Sequence, residues 1–104
     1  MVGRKMVRHI VSWNFREEIP EEKRAEVRQE LSRRFPALVG KIPGLIKAEV
    51  GIPPLSSSNC DMALYCEIED ERSLYIYQEH PEHQAVAAVV KAHCHERRCV
   101  DMLS

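Results

Sequence analysis

The sequence lacks the features that mark membrane, secreted and nucleic-acid-binding proteins. No apolar run approaches the roughly 20 residues that a helix needs to cross a bilayer. The 15 basic and 16 acidic side chains nearly cancel, and the short basic pairs at 33–34 and 97–98 indicate solvated faces, so we expect no nucleic-acid or membrane partner. The N-terminus has basic residues but no apolar stretch before a cleavage site, so we expect a cytoplasmic protein without a secretory signal.

The four cysteines form no Cys-x-x-Cys pair. In a cytoplasmic protein we expect them to be reduced thiols. One cluster, His93, Cys94 and His95 with Cys99, combines ligand types that suit zinc. Zinc sites usually need four ligands at recognisable spacings, so we interpret this cluster as a helix end that runs into a strand, and we predict no metal.

The length and composition predict one globular domain. The chain has 104 residues, of which 44% are hydrophobic, and a chain of this size can form its own core. It contains no internal repeat, linker or low-complexity tract. We therefore assign residues 1–104 to a single domain.

The clearest periodic pattern runs from Met6 to Phe15, where apolar and polar residues alternate. A period of two is typical of a strand with one apolar side. That side carries Val7, His9, Val11, Trp13 and Phe15. His9 is its only polar residue, and a single histidine facing a core is more often structural than functional.

Prolines mark the helical segments. Pro20 opens a first helix, and Pro36 should end or kink it. Asp70 can cap a short helix, and Pro81 opens a longer one that loses its pattern near His93. Helices are therefore predicted in two regions, one before and one after the middle strands.

Three further strands are predicted at residues 45–52, 61–68 and 99–103. Residues 53–59 contain two prolines and three serines, which indicates a loop. The order strand, helix, strand, strand, helices, strand matches the ferredoxin-like α+β plan, an antiparallel sheet with helices on one face.

The second face of this sheet has no cover within the chain. It carries apolar residues such as Ile10. Uncovered apolar sheet surface indicates a partner, most simply a two-fold copy of the same chain. We therefore predict a homodimer.

The segment from Tyr77 to His83, YQEHPEH, places a phenol and two imidazoles around a proline. Tyr77 would close one helix, His80 would cap the next, and His83 would lie in its first turn. Groups from two helix ends then converge, as a binding or catalytic pocket requires. The alternative is that His80 and His83 only cap and brace the joint.

Several motifs together resemble the stress-responsive A/B barrel domain (Dabb) family. They are MVRHIVSWNF at the start, IPGL in the middle, and YQEHPEH followed by VDM near the end. The resemblance covers nearly the whole chain, and the first-strand histidine combined with the His-Pro-x-His segment makes it specific. It implies a ferredoxin-like dimer whose two sheets face each other in a shared α/β barrel.

The resemblance also implies chemistry. Family members of the olivetolic acid cyclase type close a linear polyketide by an aldol-type condensation that needs neither metal nor organic cofactor. By motif position, their catalytic pair falls on His83 as the base and Tyr77 as the hydrogen-bond donor. The implied pocket residues are His9, Val11, Trp13, Phe15 and His80. This chain departs from that pattern in the third strand, where Asp61 or Met62 stands in place of a pocket histidine.

Three functions are left open by the sequence. The first is a cofactor-independent cyclase or lyase that acts on a small hydrophobic carbonyl compound. The second is a non-enzymatic, stress-responsive dimeric module that binds a hydrophobic ligand or stabilises partner proteins. The third is a monooxygenase of the antibiotic-biosynthesis type, which has a similar dimeric fold, although the His-Pro-Glu-His segment favours Dabb.

Overall fold

A four-stranded antiparallel sheet carries helices on one face in the computed structural model, which describes residues 5–52 and 54–104. The strands are β1 (Val7–Phe15), β2 (Leu45–Val50), β3 (Met62–Ile68) and β4 (Cys94–Leu103). The helices are α1 (Glu21–Arg34), α2 (Glu71–Glu79) and α3 (Pro81–His93), with a short 3-10 turn at Pro36–Leu38. The strand order β2-β3-β1-β4 confirms the ferredoxin-like prediction. Within the described ranges, no helix is long and apolar enough to cross a bilayer.

Two predictions touch residues outside the described part of the chain. The expectation that the chain has no secretory signal involves residues 1–4, and the predicted loop at 53–59 begins on Pro53. The predicted breaks at Pro36 and Pro81 are confirmed, because each proline lies at the first position of a new helical segment.

The alternating burial of β1 is also confirmed. His9 is 2% exposed, and its apolar neighbours on the same face are equally buried in the core. The helices cover this face with residues at helical spacing, among them Val27, Leu31, Val86 and Val90. The inner face of the sheet and the helical layer thus enclose a common core.

The last strand is longer than predicted, because it begins at Cys94 and not at Cys99. It pairs with β1 as far as Phe15, and the register shifts between Ser12 and Asn14. Opposite this shift, Glu96 has a φ of 55°. A bulge of this kind interrupts the period of two, and so hides the start of the strand from pattern analysis.

The joint between α2 and α3 positions the site. Asp70 Oδ1 accepts a hydrogen bond from the Ser73 N–H at 2.8 Å and caps α2. His80 Nδ1 accepts one from the Glu82 N–H at 3.1 Å and caps α3. Because α2 ends here, the carbonyls of its last turn lack helical partners and are available to side chains.

On its opposite face, the sheet carries no helix formed by the residues that the structure describes. Ile10 lies between Tyr65 of β3 and Val100 of β4 in the strand register, which forms an apolar row across three strands. Val100 is 50% exposed, and the neighbouring Met102 is 44% exposed. Within the described residues, nothing covers this row.

The turn before β2 depends on a glycine. Gly44 has a φ of 84°, and a Cβ built on it would lie 2.5 Å from Ser73 Cβ at the start of α2. We predict that Gly44→Ala lowers the free energy of unfolding by about 3 kcal/mol, about 1 from the left-handed backbone and about 2 from the close approach. Urea denaturation measures this loss.

Gly40→Ala is the matched control for this variant. Gly40 also has a positive φ, 92°, but a Cβ there would meet nothing within 4 Å. We expect it to lose only the backbone contribution, about 1 kcal/mol. Equal losses for the two variants would contradict a tight contact between Gly44 and α2.

Candidate functional site

A cavity of about 230 Å³ lies between the inner face of the sheet and the helices. Its apolar lining residues are Val11, Trp13, Phe35, Leu64, Ala87 and Val90. Its polar lining residues are His9, Gln78, His83, Gln84, Lys91 and Arg97. The volume lies below the range of about 300–1,000 Å³ typical of pockets for drug-sized ligands, so the cavity suits a small molecule.

The cavity brings together His9, Val11, Trp13 and His83 from the predicted site residues. Phe15 lies outside it, buried beneath the guanidinium groups of Arg24 and Arg28, which are 5.4 and 5.2 Å from its ring centroid. His80 also lies outside the cavity, because its ring caps α3 at the surface side of the joint. Neither Phe15 nor His80 lines the cavity, and the contacts of both stabilise the surrounding structure.

Tyr77 lies in the core beside the cavity and does not line it. Its side chain is fully buried, and its hydroxyl oxygen is 3.8 Å from the Cys66 Sγ. Its ring centroid lies 4.4 Å from that of His83 and 5.9 Å from that of His9. Burial raises the pKa of Tyr77 far above its ordinary value, and the nearby Cys66 adds to this. The phenol therefore stays protonated and supports both histidines by packing.

His83 is held in one tautomer by the end of α2. Its Nδ1 lies 3.1 Å from the carbonyl oxygen of Gln78. Because a carbonyl oxygen only accepts hydrogen bonds, Nδ1 carries the ring proton and Nε2 keeps a free lone pair. Burial lowers the pKa of His83 below its ordinary value of 6.5, although the hydrogen bond to Gln78 opposes this shift. A neutral imidazole with a free Nε2 is the form that acts as a general base.

His9 is held by the edge strand β4. Its Nδ1 lies 2.5 Å from Asp101 Oδ1, and these two residues are directly opposite each other in the β1–β4 register. The Cys99 Sγ lies 3.7 Å from the same nitrogen. Sequence reasoning missed these partners because they depend on strand pairing. The available signal was the spacing of two between Cys99 and Asp101, which places both on one face of a strand.

The rim of the cavity is cationic. Lys91 comes from the end of α3 and Arg97 from β4, while Gln78 and Gln84 contribute amides. Among the residues that the structure describes, no carboxylate lines the cavity. Arg97 is exposed, as the sequence indicated, and the early start of β4 also places it at the cavity. Cations beside an apolar wall suit a ligand that carries or develops negative charge.

The structure separates the residues of the histidine and cysteine cluster at 93–99. His93 Nδ1 donates to the Val89 carbonyl at 2.8 Å, and Cys94 is buried. His95 Nε2 lies 3.3 Å from a Glu96 carboxylate oxygen. Cys99 alone of this cluster joins another group of ligand-type side chains, namely His9 and Asp101.

The comparison with known families agrees with these observations. The family model described as the stress responsive A/B barrel domain, Dabb, matches residues 7–104. The chain belongs to the Dabb family. The resemblance seen in the sequence is therefore confirmed at the level of the family. No curated protein matches this Dabb chain.

Solved structures similar to this Dabb protein share its fold over nearly the whole length. A dimeric protein of unknown function with a ferredoxin-like fold from Bacteroides fragilis NCTC 9343 is 31% identical, with a TM-score of 0.88 over 95% of this chain and 96% of that chain. A dimeric ferredoxin-like protein of unknown function from Thermobifida fusca YX is 24% identical, with a TM-score of 0.77; the match covers 100% of this chain and 95% of that chain. The hydroxynitrile lyase of Passiflora edulis is 13% identical, with a TM-score of 0.73; the match covers 98% of this chain and 95% of that chain.

The buried position of Tyr77 in this Dabb domain leads to a test of its role. We predict that Tyr77→Phe lowers the free energy of unfolding by less than about 1 kcal/mol, because its hydroxyl contacts only a weakly bonding thiol among the described residues. Tyr77→Ala should cost about 4 kcal/mol, since it opens a cavity in the core. Urea denaturation of both variants provides the measurement. A loss from Tyr77→Phe as large as that from Tyr77→Ala would contradict a role based on packing.

Proposed function

We propose that this Dabb protein binds a small, mostly apolar carbonyl compound and that His83 removes a proton from it, as in a cofactor-independent cyclase or lyase. The observation that carries the proposal is the state of His83, a neutral ring whose Nδ1 is fixed by Gln78 and whose Nε2 is free. An apolar wall beside it, including Trp13 and Phe35, supports ligand binding by burial. Membership of the Dabb family supports small-molecule binding in general.

The proposed step is proton transfer from a carbon next to the carbonyl group. The Nε2 lone pair of His83 takes the proton, and the electron pair of the C–H bond moves into the carbonyl to give an enolate. The positive charges of Lys91 and Arg97 stabilise the enolate oxygen. The sequence-based role of Tyr77 as hydrogen-bond donor stays a prediction, and the proposal does not depend on it because its hydroxyl contacts Cys66.

The same proposal includes a homodimer. The apolar row of Tyr65, Ile10 and Val100 has no cover among the described residues, and a second sheet of the same kind would cover it. The similar proteins from Bacteroides fragilis and Thermobifida fusca are dimeric, which supports this arrangement. The proposal also includes three further expectations. The substrate is polyketide-like, residues 1–104 form a single domain, and the protein is cytoplasmic.

A second function is favoured by the contacts of the joint itself. His80 caps α3, and His83 binds the last turn of α2, so both histidines also brace the helices. Tyr77 is fully buried and does not line the cavity. These contacts support a non-enzymatic module that binds a hydrophobic ligand in the cavity or stabilises partner proteins under stress, without proton transfer.

Hydrogen–deuterium exchange of a bound ketone separates the two functions. The probe is 4-oxo-4-phenylbutanoate, which combines an apolar ring, a ketone and a carboxylate. In deuterated buffer, the wild-type protein should accelerate exchange of the methylene beside the ketone, followed by proton NMR. His83→Gln should reduce the acceleration by at least about 100-fold, because a general base contributes about 10²–10⁴.

His80→Gln is the control for this experiment, because it changes the same residue type outside the cavity. It should keep the wild-type exchange rate. Saturation-transfer NMR reports binding of the probe to each variant. Binding by the wild-type protein without accelerated exchange would favour the non-enzymatic module, and unchanged exchange in His83→Gln would exclude His83 as the base.

The pH dependence of exchange and stability follows from the lowered pKa of His83. Burial is the main cause of the lowering, and the charges of His9, Arg97 and Lys91 act in the same direction. The exchange rate should therefore decline in acid with a midpoint below 6.5. The unfolded chain binds the proton more readily than the folded one, so this residue lowers stability progressively as the pH falls from about 6.5 towards the folded pKa. Urea midpoints across this window should decline less steeply in His83→Gln, and a midpoint of exchange above 6.5 would contradict the assignment.

A further inference from the structure

Three ligand-type side chains meet where β1 pairs with the edge strand β4. His9 lies directly opposite Asp101, and Cys99 lies diagonally across from it on the same face of the sheet. One ligand atom from each residue can be chosen so that all of them lie within 4.8 Å of one another. We propose that His9, Cys99 and Asp101 form a binding site for a divalent transition metal, and that zinc is the ion their chemistry favours.

The distances in the group fit the size of a zinc ion. Zinc binds nitrogen and oxygen at about 2.1 Å and sulfur at about 2.3 Å, so tetrahedral ligands are about 3.6 Å apart when one is sulfur. The Cys99 Sγ lies 3.7 Å from His9 Nδ1 and 3.6 Å from Asp101 Oδ2. The two separations that involve the sulfur are therefore already present without the ion.

The Asp101 carboxylate must rotate so that one oxygen serves as the ligand. The oxygen 3.6 Å from the sulfur is Oδ2, whereas His9 Nδ1 lies 2.5 Å from the other oxygen, Oδ1. Nitrogen and oxygen ligands of one zinc ion are about 3.4 Å apart. The Asp101 side chain is 36% exposed and lies on an edge strand, so it has room to rotate. The ion replaces the hydrogen bond between the two side chains and leaves the strands in register.

The ligand types select the metal. A thiolate and an imidazole favour zinc over magnesium or calcium, which prefer oxygen ligands. The negative charges of the Cys99 thiolate and the Asp101 carboxylate balance the charge of the ion. Both residues are exposed, which gives the ion access from solvent. Three protein ligands leave the fourth position to water, the arrangement found in catalytic zinc sites.

Metal binding would also change the neighbouring cavity. Each ion displaces the proton of His9 Nδ1, which moves to Nε2, and the Cys99 thiol releases its proton to solvent. His9 lines the cavity, so its second nitrogen changes from a hydrogen-bond acceptor to a donor. The metal site and the His83 proposal are otherwise independent, because neither needs the other.

Cobalt titration of the full-length protein, reduced and free of other metals, tests the site directly. Binding at one ion per chain should produce a thiolate-to-cobalt charge-transfer absorption in the near ultraviolet, and added zinc should abolish it. Cys99→Ser should remove the absorption, and Asp101→Asn should weaken cobalt binding by about tenfold or more, since even partners of metal ligands contribute about 10–100-fold. Cys60→Ser is the matched control and should leave the absorption unchanged, because Cys60 is the other cysteine that is not buried.

Alkylation with iodoacetamide gives a second readout on the wild-type protein alone. Zinc should slow the alkylation of Cys99 while leaving that of Cys60 unchanged, as mapped by mass spectrometry. Absence of the cobalt absorption at saturating cobalt, its persistence in Cys99→Ser, or unprotected Cys99 in the presence of zinc would each overturn the site. These readouts do not involve the hydrogen–deuterium exchange reaction, so a negative result for the metal site leaves the proposed function untouched, and the reverse also holds.

Discussion

The hydrogen bond between the Gln78 carbonyl and His83 Nδ1 is the contact on which the candidate site depends. It exists because Pro81 begins a new helix and leaves the carbonyls of the last turn of α2 without helical partners. The Gln84 side chain donates to the same carbonyl at 2.7 Å, so this oxygen accepts two hydrogen bonds. The break between α2 and α3 thus supplies the carbonyl acceptor that fixes the tautomer of His83.

The sheet supplies the second histidine of the site, His9, and the residues that hold it. Tyr77 packs between the rings of His83 and His9, and so connects the helix joint to β1. His9 is buried, and its partner Asp101 lies on β4, the edge strand that pairs with β1. Within the described part of the chain, no buried side-chain nitrogen or oxygen lacks a hydrogen-bond partner. Because unpaired buried polar groups are costly, this polar network is compatible with a stable core.

The local features of this structure could be predicted from the sequence, because short-range physics determines them. The alternation of β1, the breaks at Pro36 and Pro81, and the caps at Asp70 and His80 each depend on a few neighbouring residues. The features that depend on strand pairing could not be predicted in this way. The bulge near Glu96 hid the start of β4, and with it the position of Arg97. Asp101 lay within the predicted strand, but its place opposite His9 depends on the pairing of β4 with β1.

Phe15 illustrates the same limit within the site itself. The period of two placed it on the correct face of β1, but the position of the helices decides which part of that face borders the cavity. At Phe15 the face is covered by Arg24 and Arg28 of α1. A pattern in one strand therefore predicts burial well and predicts membership of a pocket poorly.

The state of the His83 ring is the central claim, and nitrogen NMR of the histidine side chains tests it most directly. Selective ¹⁵N labelling of histidine, with assignment by comparison with His83→Gln, gives the protonation of each ring nitrogen near neutral pH. A protonated Nδ1 and a bare Nε2 on a neutral ring are the predicted result. A proton on Nε2 alone, or a charged ring at neutral pH, would contradict the assignment of His83 as a general base.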